Sequence, residues 1–275
     1  MSQRPQFVYL YDGTFAGFLT CVFESFARDE EPACFSLFDD PRTSLWPERA
    51  VETEREKAER VYRSLRCRVS PEVQRWVRHG FLTCVPEKER RLYDFIRLAY
   101  RAGPPVVRDL TDPRVAPLHT ALLHLWKEAH LFQGFVRFSD QGGVLCGQIT
   151  PKNRVLPLLR PHFCARFSGE RLLLYDRTHR EALLYQPRQW AILPMEEFHL
   201  EGPDAQEAGY RQLWRRFYDT IAIRERENPR CRMTHMPKRF WGDMTEFQHE
   251  EATWGSGLSP RWSPLRLSRN KTPPP

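Results

Sequence analysis

Four cations, a histidine and two large rings are gathered in Arg230-Cys231-Arg232-Met233-Thr234-His235-Met236-Pro237-Lys238-Arg239-Phe240-Trp241. Arginine and lysine neutralise phosphates, and exposed aromatic rings stack on unpaired bases for roughly 1 to 3 kcal/mol per base. This chemistry marks Arg232, His235, Lys238, Arg239, Phe240 and Trp241 as candidate nucleic-acid contacts. Arg211, Arg215 and Arg216 on the preceding helix extend the positive field. The competing expectation is that Phe240 and Trp241 anchor the segment in a core and leave Lys238 and Arg239 solvated.

A second set of residues carries acid/base potential. His162 stands beside Phe163 on a proline-bearing helix, Asp176-Arg177 follows a strand, and Asp12 ends the first strand, with His235 in the basic segment. A carboxylate, a histidine and an arginine near strand ends suit acid/base work or phosphate binding. The structural alternative for them is a satisfied core histidine and polar turns. Asp12-Gly13-Thr14 is similar to the phosphoryl-transfer loop of haloacid-dehalogenase enzymes, but Leu10 stands where that loop needs its nucleophilic Asp. Asp12 is therefore read as a turn or N-cap residue. His119, His124 and His130 share one expected helix but not one face, so no metal site is expected. The chain contains no metalloprotease, Walker, dinucleotide-binding or nucleophile-elbow motif. No cofactor is implied.

These residues need elements to hold them. The apolar spacing of Tyr210, Leu213, Trp214, Phe217, Tyr218, Ile221 and Ala222 predicts a long amphipathic C-terminal helix over 205–227, docked on a core through Trp214 and Phe217. Residues 1–133 read as a mainly helical region with an N-terminal strand at Phe7–Tyr11. The stretch from Asp29 to Trp46 reads as irregular because of Pro32 and Pro41. Ser70-Pro71 caps a helix, a second carries Leu92 to Tyr100, and a third follows Asp112-Pro113. From 134 the pattern alternates, with strand-like runs at 135–138, 144–149, 171–175, 181–185 and 190–193 around a helix within 153–167. The expected class is α+β, with an antiparallel sheet crossed by a helix in 134–250 and possible integration of the two regions. Residues 251–275, rich in Gly, Ser and Pro, are expected to form a disordered tail.

Charge supports the polyanion reading. The chain of 275 residues carries a formal +7, with nine Arg/Lys against three acids in 209–241 and two Arg against seven acids in 1–40. An excess at one end suggests a surface facing a polyanion. No run of about 18 apolar residues and no signal-like start is present, so a cytoplasmic location away from membranes is expected. Seven scattered cysteines without C-x-x-C spacing suggest reduced thiols rather than a disulfide framework.

The run from Tyr210 to Pro229, followed by His235-Met236-Pro237-Lys238-Arg239-Phe240-Trp241, resembles a bacterial family of DNA metabolism and DNA repair proteins that is itself a domain of unknown function. Tyr9 to Leu19, Val155 to Leu159 and Pro161-His162-Phe163 share in the resemblance, which spans roughly 7 to 247. It implies partners: a radical-SAM protein encoded alongside, and uracil-DNA glycosylase-like domains found fused to relatives. It implies single-stranded or damaged DNA as the ligand and assigns no catalytic residue. The expected function is a nucleic-acid-binding accessory factor. The alternatives are an enzyme acting on a DNA base or phosphate through Asp12, His162, Asp176 and His235, and a protein-interaction scaffold.

Overall fold

Strand β1 (Gln6–Tyr11) opens the chain in the computed structural model, which describes residues 6–40, 45–199, 202, 205–221 and 228–247. Asp12 then accepts from the backbone and hydroxyl of Thr14, and Thr14 in turn caps helix α1 (Phe15–Ala27) through the Gly17 N–H. Thr14 is thus the N-cap and Asp12 the turn residue before it. Strands β2 (Glu31–Leu37) and β3 (Glu48–Ala50) flank β1 in a parallel three-stranded sheet of order β2-β1-β3. This corrects the irregular reading of Asp29 to Trp46 over residues 31–37, while 41–44 lie outside the described residues. Proline lacks an N–H to donate, but Pro32 is tolerated because β2 is an edge strand.

Helices α2 (Arg55–Ser64), α3 (Pro71–Gly80) and α4 (Lys88–Ala102) follow. Ser70 caps α3 by accepting from the Val73 N–H at 3.1 Å, ahead of Pro71 in the first turn. Helix α4 ends at Gly103, whose φ of 72° is open to glycine without strain. The stripes Phe18/Leu19/Val22, Val73/Trp76/Val77 and Leu92/Phe95/Ile96/Ala99 close one apolar core with Leu118 and Leu122 of helix α5 (Ala116–Phe135). Contacts divide the chain into two units, Met1–Lys127 and Glu128–Pro275, so the boundary falls within α5.

The second unit holds strands β4 (Phe138–Asp140), β5 (Val144–Ile149), β6 (Arg171–Asp176), β7 (Glu181–Gln186) and β8 (Gln189–Pro194) in sequential order. Helix α6 (Leu156–Arg166) lies between β5 and β6. The α+β class with a helix-crossed sheet is what the structure shows, but β5 and β6 pair in parallel while the other three pairs are antiparallel. A connection containing a whole helix returns the chain to the same end of the sheet, which makes the next strand parallel. Met195 and Phe198 pack over Val144, Cys146, Leu173 and Leu184 on one face of this sheet.

Helix α7 (Ala205–Ile221) differs from expectation in what it buries. Trp214 and Phe217 are 41% and 52% exposed, and Tyr210 and Leu213 are also exposed. The predicted docking of this stripe on a core is corrected. The sheet face carrying Cys146 and Leu173 already has Met195 and Phe198 against it, and α7 instead contacts the short turn Thr245–Phe247. The expected disordered tail and residues 222–227 of the expected helix lie outside the described residues.

Candidate nucleic-acid interface

Helix α8 (Pro229–His235) begins where Asn228 accepts from the Cys231 N–H at 3.0 Å and Pro229 takes the first helical turn. It ends at Met236, and Lys238–Asp243 follows as a 3-10 turn. This turn is pinned by Phe240, which is 3% exposed and packs on Phe132 and Phe135 with ring centroids 4.8 and 5.2 Å away. Phe240 is therefore a core anchor, and no face of it is open to a base.

Trp241 is half-buried. It lies parallel to Phe247 at 4.5 Å, and its indole N–H donates to the Met236 carbonyl. The Arg232 guanidinium is 5.3 Å and the Lys238 ammonium 5.9 Å from its ring centroid, within cation–π range. With one face on Phe247, Trp241 serves chiefly to hold two cations. The Arg232 Nε is buried without a hydrogen-bond partner among the described residues.

Ion pairs separate the candidate cations into two groups. Arg239 reaches Glu128 at 2.9 Å, and Arg211 bonds Glu207 at 2.9 Å and Ser139 at 2.5 Å. Arg215 donates to the Thr245 carbonyl. Arg216, Arg232 and Lys238 make no ion pair among the described residues, and Arg216 and Lys238 are exposed. His235 is exposed as well. The uncompensated charge thus lies on α7, on α8 and at the start of the following turn.

Helix α7 lines a groove of about 670 Å³ with Tyr210, Leu213, Trp214 and Phe217, closed by Phe138, Arg137 and Thr245. The Trp214 N–H donates to Glu246, which Arg137 also binds at 2.6 Å. Burial opposes ionisation of Glu246, but hydrogen bonds from Arg137 and Trp214 hold its carboxyl below the ordinary range. The Trp214 and Phe217 rings are 5.8 Å apart. These exposed rings were read from the sequence as core, because a helical apolar stripe looks the same whether or not another layer covers it.

The residues of the acid/base alternative each have their own local surroundings, and among the described residues no hydrogen bond or ion pair joins any two of His162, Asp176 and His235. Asp12 belongs to the first unit, where both of its oxygens are engaged by Thr14 and Thr53. Burial raises its pKa, yet these hydrogen bonds leave it below the ordinary value. His162 meets the ring of Phe163 edge-on, and His235 is exposed on α8. Asp176 is fully buried: one oxygen accepts from the N–H groups of Thr178 and His179, and the other meets His179 Nδ1 at 2.7 Å. His179 is the residue that sequence reading missed, and its i+3 spacing from Asp176 across a hairpin turn was the available signal. Among the described residues no cluster of three or more His, Cys, Asp or Glu is placed to hold a metal ion, and none of their helices is long and apolar enough to cross a membrane. None of the seven cysteines forms a disulfide among the described residues.

Asp243 closes the turn against the carboxyl end of the parallel pair. It faces Arg177 at 3.6 Å and Thr150 at 3.5 Å, while Arg177 also bonds Gln148. Burial pushes its carboxyl up, and Arg177 and Thr150 offset only part of that.

No curated protein matches the chain. The matching family is described as Domain of unknown function (DUF4130). Tyr9 to Leu19 lies outside the matched residues, whereas the whole basic segment to Trp241 lies within them. With residues 86–246, more than half of its length, matching that family's model, the chain belongs to the DUF4130 family.

Proposed function

We propose that this protein is a nucleic-acid-binding accessory factor in DNA metabolism or repair. The observation that carries the reading is the set of cations without acidic partners among the described residues, Arg216, Arg232 and Lys238, of which two are held against Trp241. Such cations meet backbone phosphates, while the open rings of Trp214 and Phe217 take the base-stacking role that the sequence suggested for Phe240 and Trp241. Exposed rings favour single-stranded or damaged DNA, whose bases are free to stack. The family resemblance supports a radical-SAM protein or a uracil-DNA glycosylase-like protein as the enzyme that this factor serves.

Two tryptophan variants test it. Trp214→Ala is expected to lose roughly 1 to 3 kcal/mol of single-strand binding with its salt dependence preserved, and to lower the melting temperature only by what its indole bond to Glu246 contributes. Trp241→Ala is expected to lower the melting temperature, because the ring supports Arg232, Lys238 and Phe247. Equal oligonucleotide affinity in wild type and Trp214→Ala would remove the stacking surface.

One observation favours a second reading. The buried Asp176 holds His179 by Nδ1, an arrangement in which a carboxylate orients an imidazole for proton transfer at its other nitrogen. In that reading the protein acts on a DNA base or phosphate. His179→Asn keeps a donor for Asp176 and removes the acid/base group, so a DNA-processing activity present in wild type and absent from a folded His179→Asn protein would establish it.

A further inference from the structure

The loop between β5 and α6, residues 150–155, is shaped by a buried carboxylate. Glu128 is 3% exposed and accepts from the N–H of Lys152 at 3.0 Å, the N–H of Asn153 at 2.9 Å and the side-chain amide of Asn153 at 2.6 Å. The same carboxylate receives Arg239 at 2.9 Å, so one group ties the loop to the basic turn Lys238–Asp243. Asp243 adds a second tie through Thr150. This is the carboxyl end of the β5–β6 pair, the one parallel pair among the described residues of the second unit, and it is the end at which sheets with parallel strands receive ligands.

Glu128 takes up two of the loop's backbone donors, and Thr150, Lys152 and Arg154 are the exposed residues of the loop. Arg154 is paired with Glu181. Lys152 is exposed and makes no ion pair among the described residues, as is true of Lys238 on the other side of the Glu128–Arg239 link. Two cations of the same kind therefore flank one internally neutralised bridge. A bridge of this type is expected to fix the relative position of the two segments that carry them.

We propose that Lys152 on the β5–α6 loop is a second phosphate contact of the same interface as Lys238, with Glu128 as the positioning residue that sets the two lysines in one surface. The ligand is the phosphodiester backbone of a nucleic acid. The inference rests on the nucleic-acid reading above and extends it to an element far from the basic segment in sequence. Lys152 acts as a point charge, and Glu128 touches no ligand.

The test uses the full chain and a labelled single-stranded oligonucleotide over a series of salt concentrations. Lys152→Ala is expected to weaken binding and to flatten the plot of log affinity against log salt by about 0.7, the contribution of one phosphate contact on a single strand. Its melting temperature should match wild type, since the side chain is exposed. Lys152→Arg should restore the slope. In a Glu128→Gln background Lys152→Ala should have little further effect, while Lys238→Ala keeps its own. Should Glu128→Gln fail to fold, the comparison of Lys152→Ala with Lys152→Arg decides. A Lys152→Ala protein with wild-type affinity and slope, beside a Lys238→Ala protein that loses both, would overturn this inference and leave the interface standing. Wild-type slopes in both variants would overturn the inference and the nucleic-acid reading together.

Discussion

Buried polar side chains carry the clearest consequences at the residue scale. His79 accepts from the Trp126 indole N–H through Nδ1 at 2.9 Å, and burial, with Arg78 and Arg75 nearby, pushes its pKa down to about 4. A histidine whose folded pKa is depressed favours the folded state above its unfolded pKa, near 6.5, and loses that contribution as pH falls towards 4. His79→Gln retains an acceptor for Trp126 and does not titrate. Its melting temperature should therefore fall less than that of wild type between pH 6.5 and 4, and parallel curves would contradict the assignment. Asp243 has the opposite sign. A carboxyl raised by burial opposes folding once pH exceeds its unfolded range, so Asp243→Asn should raise the melting temperature at pH 7, with an advantage that shrinks as pH falls through the raised folded pKa and is gone below the unfolded value near 4. A destabilised Asp243→Asn protein at pH 7 would show that the Arg177 and Thr150 contacts outweigh burial.

Helix boundaries were the most legible part at the scale of elements, because the residues that set them act locally. Ser70-Pro71 and Gly103 stop or start helices by their own backbone chemistry, and the Leu92/Phe95/Ile96/Ala99 stripe has one buried face. Parallel strands were harder to see. β2 contains Pro32, which reads as a break unless the strand is known to be an edge, and β6 pairs in parallel with β5 only because α6 intervenes. The contrast between α7 and the 3-10 turn makes a direct test. Phe240 is buried between two rings, so Phe240→Ala should cost about 3 to 5 kcal/mol, measured by denaturant unfolding. Phe217→Ala, at an exposed position, should cost well under that. Equal losses would mean that the α7 face is covered in solution.

Over the whole molecule, charge was legible and its pairing was not. The excess of cations in 209–241 can be counted from the sequence, but Glu128 and Glu207, which neutralise Arg239 and Arg211, are ordinary acids until the fold brings them close. The same gap hid Lys152, whose loop joins the basic turn through the Glu128 bridge and the Thr150–Asp243 contact. It also gave Asp176 a histidine outside the four acid/base candidates, His179. Electrostatic binding leaves a signature that does not depend on the sequence of the ligand, since each phosphate contact releases counterions. The most direct measurement is therefore the salt dependence of oligonucleotide affinity for wild type and for the Arg216→Ala, Lys238→Ala double variant. Wild type should bind more weakly as salt rises, and the double variant should flatten the log–log slope by about 1.4 on single strands and about 1.8 on duplex. A folded double variant with the wild-type slope, or a wild-type protein that binds no oligonucleotide at low salt, would contradict the account.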